Sequence, residues 1–315
     1  MIIGIYIKIK MEIASIHLFN MQCIFCHKDS STSKSVEHII PESLGNKEHI
    51  LPKGYVCDTC NNYFSVKIEK ELLAQPYFVS MRRRNDIRTK HGRFVKETFI
   101  FPSMMDISPV SFNPEEKIVY IENDNVVNAI ISGNCKKAIS LFYDAPDTHN
   151  TLMSRFLAKC AYEYFLYNMG KDNYDLCVQE YLGRGKDLLK ELRKYARYGV
   201  GKYWQYNQRR IYSEGDYFYN QDENICYEIL HEMKLFIKEQ KHFQNGNVEA
   251  EIYFVVAIAG IEYAICLSAP DISEYQKWIE GNKGLSPLKD DAEKLSFSMS
   301  DVNPMLIKKD DYRIH

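Results

Sequence analysis

The sequence predicts an α+β chain: a small cysteine-anchored unit of two strands and a helix, followed by a larger mixed α+β region. Three observations carry this. Two Cys-x-x-Cys pairs, Cys23/Cys26 and Cys57/Cys60, bracket a polar stretch with short β-prone segments. Phe64, Ile68 and Leu72 then recur every fourth residue, the spacing of one helix face. Beyond residue 99, β-prone runs and one long helical pattern are mixed along the chain.

Taken in order, residues 22–26 form a knuckle and residues 27–34 a polar loop. Residues 35–40 are β-prone and end at Pro41. Leu44-Gly45-Asn46 signals a turn. His49 to Leu51 with Tyr55-Val56 supply a returning strand, broken at Pro52-Lys53-Gly54. The helix after Cys60 is bounded by Pro76. From Met81 to Lys96 the chain is locally basic: Arg82, Arg83, Arg84, Arg88, Lys90, Arg93 and Lys96 stand against Asp86 alone. Residues 94–101, 117–122 and 126–131 read as strands, with Asn123-Asp124-Asn125 as a hairpin turn. Residues 135–143 read as a short helix.

Residues 151–167 carry the clearest helical pattern, with rows Phe156/Cys160/Tyr164 and Leu157/Ala161/Phe165. Helical segments follow at 174–181 and 186–198. Residues 231–237, 252–258 and 261–267 read as a β-meander with a tight last hairpin at Ala259-Gly260. The tail from Ser273 is charged and lacks a period, so weak order is expected there. The expected organisation is an extension at 1–20, a front domain at 21–80, a basic linker at 81–98 and an α+β domain at 99–315.

Composition narrows the class. The net charge is −2, with 40 basic and 42 acidic residues, so any basic surface is local. Nine cysteines, five of them scattered (Cys135, Cys160, Cys177, Cys226, Cys266), do not make a secreted disulfide scaffold. A reducing, cytoplasmic setting fits better. Residues 1–20 are apolar but interrupted by Lys8, Lys10 and Glu12, which suits neither a secretory signal nor a membrane span. They read as an extension outside the functional core, with Met21 a natural start. No small-molecule cofactor motif is evident.

Four thiolates in two such pairs suit a closed tetrahedral zinc site. The 30 residues between Cys26 and Cys57 leave room for a functional hairpin between the knuckles. A redox dithiol is the weaker alternative, because one pair would suffice. Inside the bracket stands Glu37-His38. A carboxylate is a hard oxygen ligand for Mg²⁺ or Mn²⁺. An imidazole with an ordinary pKa of about 6.5 can take a proton from water at cellular pH. Asn61 adds a neutral oxygen at a helix N-terminus, where free amides favour a phosphate. Together these residues point to metal-assisted attack of water on a phosphodiester. His27, His49 and His91 are set aside as ligands of that metal.

The segment resembles HNH endonuclease domains of the ββα-metal type with zinc-binding cysteine pairs. The matching residues are Cys23-x-x-Cys26, Glu37-His38-Ile39-Ile40-Pro41 with Gly45, and Cys57-x-x-Cys60-Asn61. They cover about residues 22–75. The resemblance implies that His38 is the general base and that Glu37, where the family usually has aspartate, is a metal ligand with Asn61. It departs from the family at two places. Phe64 stands where a final histidine, lysine or other polar residue is common, and the middle asparagine that orients the base has no clear counterpart. Asn46 is the nearest residue to that role, and Asn62 could exchange with Asn61.

The expected function is metal-dependent hydrolysis of DNA, with structural Zn²⁺ and catalytic Mg²⁺, Mn²⁺ or another divalent ion. One site cuts one strand, so a double-strand cut needs two copies, as in a homodimer, or two passages. Arg82, Arg83, Arg84, Arg88 and Lys90 are the candidate phosphate contacts. Restriction or phage defence, with residues 99–315 as recognition or regulatory part, is a further expectation for the setting, and no motif in the sequence names a signal. The alternative is a zinc-stabilised nucleic-acid-binding module without catalysis.

Overall fold

A computed structural model describes residues 21–46, 48–89, 91–140, 145–169, 189–212, 217–220, 225–228, 231–242, 248–289 and 305–307. Of residues 217–220, 225–228, 231, 239–242, 248–250 and 305–307 it describes the backbone alone. The expected extension at 1–20, the helical segment at 174–181 and Lys90 lie outside the described residues.

The front unit is built by local hydrogen bonds. Cys23 N donates to Lys28 O and His27 N to Cys23 O, both at 2.9 Å, closing the first knuckle. Two extended arms meet antiparallel at His38 and Ile50. Ile39 N donates to His49 O at 3.0 Å and Leu51 N to Glu37 O at 2.9 Å. The expected hairpin is thus present but reduced to a short ribbon. Pro41 and Pro52, which have no N–H to donate, limit its two arms. Asn46 is fully buried and closes the loop between the arms. Its Nδ2 donates to Ile40 O at 2.7 Å, and its Oδ1 accepts from Glu48 N at 3.1 Å and His49 N at 3.3 Å.

The helix that follows has three parts: α1 (Asp58–Phe64), a π-helical turn (Ser65–Glu69) and α2 (Lys70–Leu73). Phe64, Ile68 and Leu72 are all fully buried, so the fourfold spacing marks the core face as expected. The helix α3 (Pro76–Arg84) opens on proline, whose missing N–H costs nothing at a first helical position. Tyr77, Phe78 and Met81 sink into the core from it.

The next sheet has the antiparallel order β3 (Ile118–Ile121), β2 (Asp106–Asn113), β1 (Glu97–Phe101), β4 (Ile139–Ser140). Three readings change here. Residues 126–131 are not a strand but belong to the helix α4 (Asp124–Ile131). Asn123 is its N-cap rather than part of a hairpin turn: its Oδ1 accepts from Asn125 N at 3.0 Å and Val126 N at 3.4 Å. The β2 strand had no strand reading, because Pro109 sits inside it. Ile139 pairs with Ile100, so no helix runs through residues 135–140.

The long helical pattern forms α5 (Thr151–Met169), which pairs with α6 (Lys190–Tyr198). A second antiparallel sheet has the order β5 (Tyr206–Arg210), β10 (Ile261–Cys266), β9 (Val248–Ile258), β8 (His231–His242). The expected hairpin between β9 and β10 turns through Ala259 and Gly260, at φ 47° and 82°. Two central residues at positive φ give the tight turn that matches strand twist. The backbones of β6 (Tyr217–Asn220), β7 (Ile225–Glu228) and β11 (Met305–Ile307) form a third sheet. The region from Ser273 begins as a helix, α7 (Ser273–Gly281), rather than as a weakly ordered tail. Tyr275 is buried there, and Trp278 lies 4.5 Å from Phe236 between ring centroids.

One hydrophobic core runs through front and back. Phe25, Phe64 and Ile68 share it with Leu157, Tyr162, Leu192 and Tyr263. Polar contacts cross the same boundary. Tyr162 OH donates to Ile24 O at 3.2 Å, Arg155 Nη2 to Tyr63 OH at 2.6 Å, and Arg193 Nη1 to Phe25 O. Among the described residues no helix is long and apolar enough to cross a membrane.

Candidate functional site

The four paired cysteines come together. Their sulfur atoms all lie within 4.8 Å of one another, and Cys26 Sγ is 3.6 Å from Cys57 Sγ. Tetrahedral zinc with Zn–S bonds of about 2.3 Å needs sulfurs roughly 3.8 Å apart. The cluster therefore fits a structural zinc ion. Cys57 N donates to Cys23 Sγ at 3.4 Å, and Arg197 Nε from α6 donates to Cys60 Sγ at 3.2 Å. Both contacts favour thiolate at the accepting sulfur. The hydrogen bond with Cys60 is the main cause that lowers the Cys23 pKa to about 5. Burial pushes Cys57 up to about 11. Cys60 is pushed up too, chiefly by its bond to Cys23.

Beside this cluster lies a cavity of about 640 Å³, lined by Glu37, His38, Asn61, Glu69, Arg82 and His91 among others. It holds all three residues singled out as chemistry by the sequence. The Nδ2 of Asn61 donates to Val36 O at 3.1 Å, tying α1 to the segment before Glu37. That donor bond leaves the side-chain oxygen as the part of Asn61 a cation would use. Asn62 is exposed and does not line the cavity, which separates it from Asn61. The first turn of α1 carries Asp58, which accepts Lys34 N at 2.9 Å and Ser35 N at 2.8 Å. These bonds hold its carboxyl below the usual range, the Ser35 side chain contributing most. The first turn of the helix thus already carries an acid of the chain.

Glu37 has an internal counter-ion that the sequence reading missed. Lys159, fully buried on α5, places Nζ 2.5 Å from Glu37 Oε1, 3.1 Å from Glu69 Oε1 and 3.3 Å from Glu163 Oε2. The same ammonium donates to His38 O at 3.0 Å. Burial opposes its charge, but the three carboxylates outweigh burial and hold the lysine well above its ordinary pKa. Glu163 is pushed well up, first by burial and then by Glu37 and Glu69, with Lys159 opposing. Next to it, Cys160 donates its thiol to Ile39 O at 3.0 Å, and burial raises it as well. The Glu37–Ile39 backbone is therefore held from below by α5.

The departures from the family pattern have structural answers. Phe64 is core: its ring is 4.6 Å from Phe25, edge-on. Beyond Asn61, the polar residues that the helix brings to the cavity are Ser65, Glu69 at the end of the π-helical turn, and Lys70. Asn46 fixes the loop through backbone bonds and makes no bond to the His38 side chain among those described.

The basic run is dispersed rather than continuous. Arg83 pairs with Glu97, and Arg88 pairs with Glu115 at 2.5 Å. Arg88 also lies 4.4 Å over the Phe94 ring. Arg82 is buried and lines the cavity. Of the histidines set aside, His49 lies 6.1 Å from the rings of Tyr164 and Tyr167, while His91 is at the cavity.

Four clustered cysteines are joined to a short ribbon and a helix, with an acid, a histidine and an asparagine on one cavity. Residues 23–76 match the family described as HNH endonuclease. The chain thus carries an N-terminal HNH domain with a cysteine cluster. No curated protein and no solved structure matches it.

Proposed function

We propose that the protein is a metal-dependent endonuclease that hydrolyses phosphodiester bonds in DNA. The observation that carries this reading is the shared cavity: Glu37, His38 and Asn61 line it together, within a segment that matches HNH endonucleases. His38 acts as general base. Its imidazole takes the proton as the water oxygen forms the new bond to phosphorus, and the bond from phosphorus to the leaving sugar oxygen breaks. Glu37 and Asn61 would hold Mg²⁺ or Mn²⁺, a hard-oxygen donor set, which would stabilise negative charge on the leaving oxygen. Zinc on Cys23, Cys26, Cys57 and Cys60 holds the frame.

The same proposal takes residues 21–80 as the nuclease domain and residues 99–315 as a recognition or regulatory part. A cytoplasmic restriction or phage-defence role fits it, with a homodimer as one route to double-strand cutting. One observation favours the second reading, a zinc-stabilised DNA-binding module without catalysis: Glu37 is already neutralised by Lys159. Plasmid nicking with Mg²⁺ or Mn²⁺ decides between them. Wild type is expected to nick, and His38→Ala to lose at least about a hundredfold in rate. Wild type that binds DNA but never cuts it under any divalent ion would establish the second reading instead.

A further inference from the structure

We propose that Arg82 is the anion anchor of the cavity: its guanidinium is held there without an internal partner so that it can take a phosphodiester group of bound DNA. This deepens the nuclease reading and rests on it for the carrier of the phosphate.

The argument starts from the electrostatics of burial. Arg82 is 8% exposed. Its Nε is buried and has no hydrogen-bond partner among the described residues. No described acid lies within ion-pair distance of it, and burial alone pushes its pKa below the ordinary arginine value. The other arginines nearby differ: Arg83 pairs with Glu97, Arg88 with Glu115, and Arg155 bonds Tyr63. A charge withdrawn from water without a partner is costly to hold. Lysine could shed its proton to escape that cost, but a guanidinium keeps its charge. Among the described residues nothing compensates this cation.

Its placement says what would compensate it. Arg82 lines the same cavity as His38, Asn61 and Glu69. Three acids line that cavity: Glu37 and Glu69 are already taken by Lys159, and Glu42 forms no ion pair with Arg82. No described acid pairs with Arg82, so a bound anion would compensate it, and a planar fork of donors matches a phosphate in two bonds at once. Arg82 also lies beyond the segment 23–76 that matches the nuclease family, so it adds to that segment's residues.

The test uses the full chain with its zinc, comparing wild type with Arg82→Met. Thermal unfolding is followed with and without inorganic phosphate, and binding of a short DNA duplex is read by fluorescence anisotropy without divalent ion, so that nothing is cut. Phosphate is expected to raise the melting temperature of wild type and not of Arg82→Met. The variant is expected to bind the duplex at least about tenfold more weakly while its ligand-free melting temperature stays equal or rises, because an unpaired buried charge has gone. Should Arg82→Met fail to fold, Arg82→Lys serves, with the same loss expected because the fork is gone. Equal responses of wild type and variant to both probes, including no response from either, overturn the proposal. A difference between them in a wild type that nicks no plasmid leaves the anchor standing and removes the nuclease reading.

Discussion

Replacing Lys159 by methionine tests the support beneath the site. The ammonium is fully buried and meets Glu37, Glu69 and Glu163 at 2.5, 3.1 and 3.3 Å. At an effective dielectric of about 20, each contact near 3 Å is worth roughly 5 kcal/mol of attraction. Desolvation of the four groups offsets most of that sum, and breaking a buried pair by removing one partner costs about 3–5 kcal/mol. Methionine keeps most of the side chain's length and its apolar packing, so lost volume adds little. A loss of about 3–5 kcal/mol is a large share of the roughly 5–15 kcal/mol that hold a domain folded. Urea denaturation at neutral pH, followed by far-UV circular dichroism, reads it as a fall in midpoint with an unchanged slope. The double variant Lys159→Met with Glu163→Leu is expected to recover part of the loss, since the acid left most deeply buried goes with its partner. A single variant within about 1 kcal/mol of wild type would refute the reasoning: the ammonium would then be dispensable to the acids around it.

Three further outcomes are expected. Burial raises the Glu163 carboxyl, so the folded state holds more protons than the unfolded one from the unfolded value of about 4.3 upward. Stability contributed by the protonated acid is therefore lost as pH rises through that window, and Glu163→Gln is expected to flatten the slope in urea midpoints taken across it. Metal analysis by mass spectrometry should find about one zinc per chain, and Cys60→Ser or a strong chelator should remove it and lower the melting temperature. Asn123→Ala removes the cap of α4, and urea midpoints should report a loss of about 1 kcal/mol.

What the sequence revealed and what it hid divide along physical lines. The cysteine pairs, the ribbon ending at Pro41 and the stripe Phe64/Ile68/Leu72 are local signals, and each is met by the fold. The β9–β10 hairpin was legible for the same reason: Ala259-Gly260 is flanked by apolar runs. The helix α4 was misread because Val126 to Ile131 is rich in β-branched residues, while the side-chain cap of Asn123 decides the conformation. Glu69 escaped because the π-helical turn Ser65–Glu69 interrupts the regular period from which its face would be read. Lys159 could not be found at all by local pattern. It lies more than a hundred residues from Glu37 and sits in an apolar helix, where a lone lysine looks like a solvated interruption.

The site that emerges is made from two sides. The front segment supplies Glu37, His38, Asn61 and the four cysteines, all close in sequence. The helices behind it supply the charges that hold them: Lys159 under Glu37 and the His38 carbonyl, Arg193 on the Phe25 carbonyl, and Arg197 on Cys60. Cations contributed by α5 and α6 thus meet the acids and sulfurs of a segment that would otherwise gather negative charge in a small volume. An HNH segment of some fifty residues has little core of its own, and a unit of that size is marginal without help. Here the help comes partly from the cysteine cluster and partly from the shared core with Leu157, Tyr162 and Leu192. The larger region is therefore more than an appendage to the front segment: it supplies the counter-charges and much of the core on which the geometry of the cavity depends.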